Sequence, residues 1–100
     1  MQNKIPFKLI LKNEAKLDIQ DAFLWYESKS EGLGQHCVDE IEHYLSYIKE
    51  NPYSCEARYG EYRVAVLKIF PYIVVYRIDE NEIVVISIFA TSQNPNKLKI

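Results

Sequence analysis

The chain has 100 residues, 48% of them hydrophobic and 13% aromatic, a formal net charge of -2 and two cysteines. That length without a Gly-, Ser- or Pro-rich tract implies one compact domain, residues 1–100, whose modest core is enlarged by eight tyrosines. The slight acidity argues against nonspecific nucleic-acid binding by the whole surface, and no apolar run approaches the ~18 residues of a membrane span.

The N-terminal stretch "MQNKIPFKLIL" has neither a signal-type apolar core nor a small-residue cleavage site, so a cytoplasmic protein is expected. Cys37 and Cys55 fall in different elements with no CxxC spacing, which predicts reduced, packed thiols and neither a disulfide nor a zinc site. Charge is unevenly spread. Residues 1–55 carry six lysines, no arginine and nine acids, whereas Arg58, Arg63, Arg77, Lys68, Lys97 and Lys99 lie beyond, against five acids. Arginine favours bidentate carboxylate or phosphate contacts, so an anionic partner would meet the C-terminal half; the alternative is that these arginines simply edge a sheet.

In chain order, Phe7, Leu9 and Leu11 alternate with Lys8, Ile10 and Lys12, a period of two that predicts a first strand opened by Pro6. Asn13 is placed to cap a helix whose apolar positions are Ala15, Ile19, Ala22, Phe23 and Tyr26, ending at the breaker "SEGLG". Cys37, Val38, Ile41, Tyr44, Leu45 and Ile48 mark a second amphipathic helix, stopped by Asn51-Pro52. From Tyr62 onward, "YRVAVLKIF", "YIVVYRI" and "EIVVISIFA" are β-branched runs with hairpin-length gaps, hence a three-stranded meander. The expected fold is α+β, in the order β-α-α-β-β-β, a helical hairpin packed on a mostly antiparallel sheet.

Four segments in that order resemble the RelE/ParE superfamily of type II toxin-antitoxin toxins, which includes plasmid stabilisation proteins, and the ParE-like branch most. They are "AFLWYESKSEGLG" (Ala22 to Gly34), similar to the family's "A..WY...S.GLG"; "VDEIEHYLSYIKENP" (Val38 to Pro52); "YRVAVLKIFPYIVVYRID" (Tyr62 to Asp79), similar to "R......FPY.I.Y"; and "IFATSQNP" (Ile88 to Pro95), similar to "VFH..RNP". Each also has a packing explanation: Trp25-Tyr26 suits a helix–sheet interface, and Gly32 and Gly34 suit a turn that ends a helix.

The resemblance implies two modes of action. RelE-like members cut mRNA on the ribosome, using basic side chains on the sheet and a proton-transferring residue near the C-terminus. Such chemistry needs a base, an acid for the leaving oxygen, and cations for the developing phosphorane charge. The family's basic positions fall here at Arg63, Ala65, Ile73 and Thr91, and its terminal His and Arg at Ala90 and Gln93. Only Arg63 is retained. Lys97, Tyr72 or Tyr76 would need large pKa shifts to substitute. His36 and His43 are expected on a solvated face of the second helix, as are Asp39, Glu40 and Glu42, and Ser54, Ser87 and Ser92 have no nucleophile context.

No catalytic residue is therefore assigned, and binding is favoured over catalysis. The ParE branch implies a protein target such as DNA gyrase and neutralisation by a cognate antitoxin; the alternatives are a ribosome-dependent mRNA endonuclease and a non-toxic antitoxin-binding remnant. Target-binding candidates are Arg63, with Arg58, Lys68 and Arg77 as weaker ones, and antitoxin-binding candidates are Trp25, Tyr26 and Phe89. No cofactor, metal, membrane or nonspecific DNA partner is expected.

Overall fold

The computed structural model describes residues 6–98, so Lys99 and the first five residues lie outside it. Strand β1 (Lys8–Leu11) leads into helices α1 (Asn13–Lys29) and α2 (Leu33–Glu50). Strands β2 (Ala57–Tyr59), β3 (Tyr62–Val66), β4 (Tyr72–Asp79) and β5 (Glu82–Ala90) follow, and a 3-10 turn spans Pro95–Lys97. The α+β order is the expected one, with β2 added: three exposed residues that carry no apolar alternation and so leave no strand signal.

The sheet runs β1-β5-β4-β3-β2, with β1 parallel to β5 and the other pairs antiparallel. One face packs on the helices: Ala65, Leu67, Val74, Tyr76, Ile83 and Val85 meet Ala15 and Ala22 of α1 and Cys37, Ile41, Leu45 and Ile48 of α2. Each fully buried Ile here contributes about 1.5–3 kcal/mol through area removed from water. On the opposite face Val64, Ile73 and Val75 form a smaller cluster with Tyr62, Ile86, Phe89 and Leu98. Strand β4 is thus covered on both sides, which is why it reads as an unbroken apolar run.

Local polar contacts correct three expectations. The N-cap of α1 is Lys12, with no side-chain cap bond, and Asn13 is already helical. Gly32 does make the turn, at φ 86, but Gly34 lies inside α2, where a Cβ would stand 2.5 Å from the Phe23 carbonyl oxygen. The helices close on each other because that Cβ is missing, and Glu27 of α1 accepts the Gly32 and Gly34 N–H groups at 2.9 Å each, capping α2 from outside. Glu40, read as a solvated carboxylate, instead accepts the backbone N–H groups of Lys68, Ile69 and Phe70 at 3.1, 2.8 and 2.8 Å. It straps the β3–β4 connection to α2.

Candidate binding cleft

Strand β1 stops while β5 continues. The last bond between their edges runs from the Lys12 N–H to the Val85 carbonyl, at 2.9 Å. Pairing shifts from Tyr76↔Val85 to Val75↔Ser87, so Ile86 is an extra residue, a β-bulge that twists the end of β5 away. Beyond it α1 runs beside the uncovered edge and leaves a cleft of about 390 Å³.

One wall is the α1 stripe Asp18, Asp21, Ala22 and Trp25, with Tyr26 behind it; the other is Tyr72 and Ile88 to Ala90, and Ser92 and Gln93 close one end. Asp18 accepts the Ile88 N–H at 3.0 Å and the Ser87 hydroxyl at 3.2 Å, covering the edge just after the bulge. Burial raises its pKa above 3.8, against the lowering effect of those two bonds, and the charges of Asp21 and Glu14 raise it further. Trp25 is 57% exposed, with the Lys29 ammonium 4.1 Å from its ring centroid. Tyr26 meets the Phe70 ring edge-on at 4.9 Å.

Trp25, Tyr26 and Phe89, chosen from the sequence, all line this one cleft. The packing explanation for Trp25-Tyr26 holds for Tyr26, half-buried against the core, and fails for Trp25, which faces solvent.

The basic candidates do not converge. Arg63 faces the helix side of the sheet, donates to the Cys55 carbonyl at 2.6 Å and lies over the Tyr53 ring at 5.1 Å. Arg58 is exposed on edge strand β2, and Lys68 is exposed on the loop that Glu40 straps. Arg77 follows Tyr76 onto the opposite face and pairs with Asp79 at 3.5 Å.

The positions aligned with nuclease cations are divided as well. Ala65 is buried in the helix-side core with Arg63 at the same face, Ile73 is buried on the far side, and Thr91 donates its hydroxyl to the Pro71 carbonyl at 3.2 Å. Ala90 and Gln93 sit in the cleft. Burial pushes the Tyr72 hydroxyl up to about 12 and the Tyr76 hydroxyl higher still, where it donates to the Pro52 carbonyl at 2.8 Å; Lys97 is exposed. Both cysteines are free thiols, Cys37 buried and Cys55 half-buried, and burial raises Cys37 to about 11. His36 and His43 are exposed on α2 beside Lys68 and Ile69, and among the described residues no three His, Cys, Asp or Glu side chains cluster as metal ligands.

The profile of the ParE toxin of type II toxin-antitoxin systems, parDE, matches residues 9–95. The chain belongs to the ParE toxin family. The matched span takes in β1 from its second residue, strands β2 to β5, both helices and the whole cleft. A solved structure described as the chromosomal ParDE TA system from P. aeruginosa has the same fold as this ParE-family chain: TM-score 0.78, 16% identity, covering 86% of this chain and 97% of that one. Among curated protein sequences nothing matches.

Sequence reasoning passed over Asp18 and Asp21 in this ParE-family protein and placed Glu40 on a solvated face. The first two had a signal, since Asp18, Asp21, Ala22 and Trp25 recur at i, i+3, i+4 and i+7 on one helix stripe. Glu40 had none, because its partners lie 28 to 30 residues away and are backbone groups.

Proposed function

We propose that this ParE-family chain is the toxin of a type II toxin-antitoxin pair, that it acts in the cytoplasm by binding a protein target such as DNA gyrase, and that an antitoxin occupying the α1–β5 cleft neutralises it. The observation that carries the reading is the gathering of Trp25, Tyr26 and Phe89 with two carboxylates around an uncovered strand edge. Such a surface combines apolar anchors, hydrogen-bonding backbone and charge, the ingredients of peptide recognition. Exposed Arg58 and Lys68 are target-facing residues in this reading, with Arg77 and half-buried Arg63 in secondary places.

Binding is favoured over mRNA cleavage because Arg63 is engaged with the Cys55 carbonyl on the helix side while Arg77 lies on the opposite face, and the other positions aligned with nuclease cations are the uncharged Ala65, Ile73 and Thr91. Each missing transition-state contact costs on the order of 10²–10³ in rate, by analogy with removed oxyanion-hole donors. Tyr72 and Tyr76, held protonated by burial, cannot supply a base near neutral pH.

The test is induced expression in growing bacteria, with and without the protein encoded immediately upstream, followed by primer-extension mapping of transcripts. Growth should stop, co-expression should relieve the arrest, and the transcripts should remain uncut. Discrete ribosome-dependent cuts within codons would transfer the reading to an mRNA endonuclease, and continued growth in both cultures would leave a non-toxic remnant.

A further inference from the structure

Strand alternation fixes which groups the bare edge of β5 offers. Thr91 donates its N–H to the Pro71 carbonyl on the β4 side, so Phe89 also turns its backbone to β4, and Ile88 and Ala90 turn theirs outward. Of those four outward groups, two are taken: the Ile88 N–H by Asp18 and the Ala90 carbonyl by the Gln93 N–H at 3.1 Å. The Ile88 carbonyl and the Ala90 N–H have no partner among the described residues.

These two groups flank Phe89. A parallel strand places each bonded residue between an acceptor at i-1 and a donor at i+1 of its neighbour, whereas an antiparallel strand exchanges both bonds with a single residue. At Ile88 or Ala90 an antiparallel guest would find one of its two bonds already made. A parallel guest finds both available, in the pattern by which β1 already sends the Lys8 and Lys12 N–H groups to the carbonyls of Asn81 and Val85. The guest therefore extends the line of β1 past the bulge.

Side chains flanking the bonded guest residue turn to the same face as Ile88 and Ala90, toward α1. That wall holds Asp18 and Asp21 with no Lys or Arg among the cleft's lining residues, and it also holds the exposed Trp25 ring. A cation beside the carboxylates satisfies the charge of that wall, the Lys29 ammonium lying instead over the Trp25 ring.

We propose that the cleft receives an extended segment of the antitoxin as a strand parallel to β5, one residue bonded to the Ile88 carbonyl and the Ala90 N–H, with a Lys or Arg next to that residue reaching Asp21. This rests on the reading of the cleft as the antitoxin site, and adds strand direction, bonding register and charge.

The experiment uses the full chain co-purified with the protein encoded immediately upstream. Amide hydrogen exchange is followed at Ala90, and affinity is measured for the parent chain, Asp21→Asn and Asp21→Lys. Asp21 is exposed, so these exchanges leave the fold intact. The Ala90 amide should exchange at least about tenfold more slowly in the complex, and Asp21→Lys should weaken binding by on the order of tenfold, Asp21→Asn by less. A complex in which Ala90 exchanges as in the free chain overturns the strand addition while leaving the toxin-antitoxin reading in place. Protection of Ala90 with affinity indifferent to Asp21→Lys overturns the cation. Absence of any complex removes both this proposal and the reading beneath it.

Discussion

The Arg63 guanidinium donates a 2.6 Å hydrogen bond to the Cys55 carbonyl and covers the ring of Tyr53, so it fastens the segment after α2 to strand β3. The one cation retained from the nuclease pattern is thus engaged by its own chain. Truncating it leaves that carbonyl with a lost charge-assisted bond. Arg63→Ala is expected to lose about 1.5–3 kcal/mol of stability in urea unfolding. A variant as stable as the parent would make Arg63 available for a partner instead.

Glu40 holds three consecutive N–H groups with one carboxylate and thereby fixes the loop that carries Ile69, which is 77% exposed. Glu40→Ala is expected to cost about 1.5–3 kcal/mol, at the level of hydrogen bonds to a charged group, and to speed amide exchange at Lys68 to Phe70 selectively. Exchange that rises uniformly across the sheet, or not at all, would contradict the strap.

Gly34 and Gly32 are expected to tolerate alanine differently. At Gly34 the obstacle is the Phe23 backbone oxygen 2.5 Å away, which moves only if α1 moves, so Gly34→Ala should cost about 1–3 kcal/mol through overpacking. At Gly32 the space is open and the cost is the positive φ of 86, on the order of 1 kcal/mol. Thermal unfolding of the pair checks the order, and Gly32→Ala as the more damaging variant would refute it.

Asp18 gives a pH dependence of definite sign. Its carboxyl has a native pKa above 3.8 because burial outweighs the bonds from Ile88 and Ser87, so the folded chain keeps this proton over a range in which the unfolded chain has released it. The group's contribution to stability is full below 3.8 and is lost as pH rises through the native value. Asp18→Asn retains an acceptor for the Ile88 N–H and removes the titration. Parent stability relative to that variant should decline from pH 3.8 upward and then level off. A difference that grows with pH would reverse the assignment.

The fold was legible because its main signals are periodic. Alternation marked β1, helical spacing marked Ala15, Ala22, Ile41 and Ile48, and the β-branched run from Tyr72 to Ile78 marked a strand of the meander. The strand β2 was not legible, since its three exposed residues carry no apolar alternation. The aromatic members of the cleft could be named from the sequence, but their meeting depends on where β1 stops and where β5 bulges, and neither is written in composition. Arg63 and Arg77 show the same limit: one residue of register separates a side chain on the helix face from one on the other.

The central claim, a toxin that acts by binding a protein target, is tested most directly by the supercoiling activity of purified DNA gyrase titrated with this chain. Supercoiling is expected to fall as the chain approaches stoichiometry with gyrase, and to recover when the co-encoded upstream protein is added. Gyrase that supercoils at full rate under a large excess of folded chain would contradict gyrase as the target.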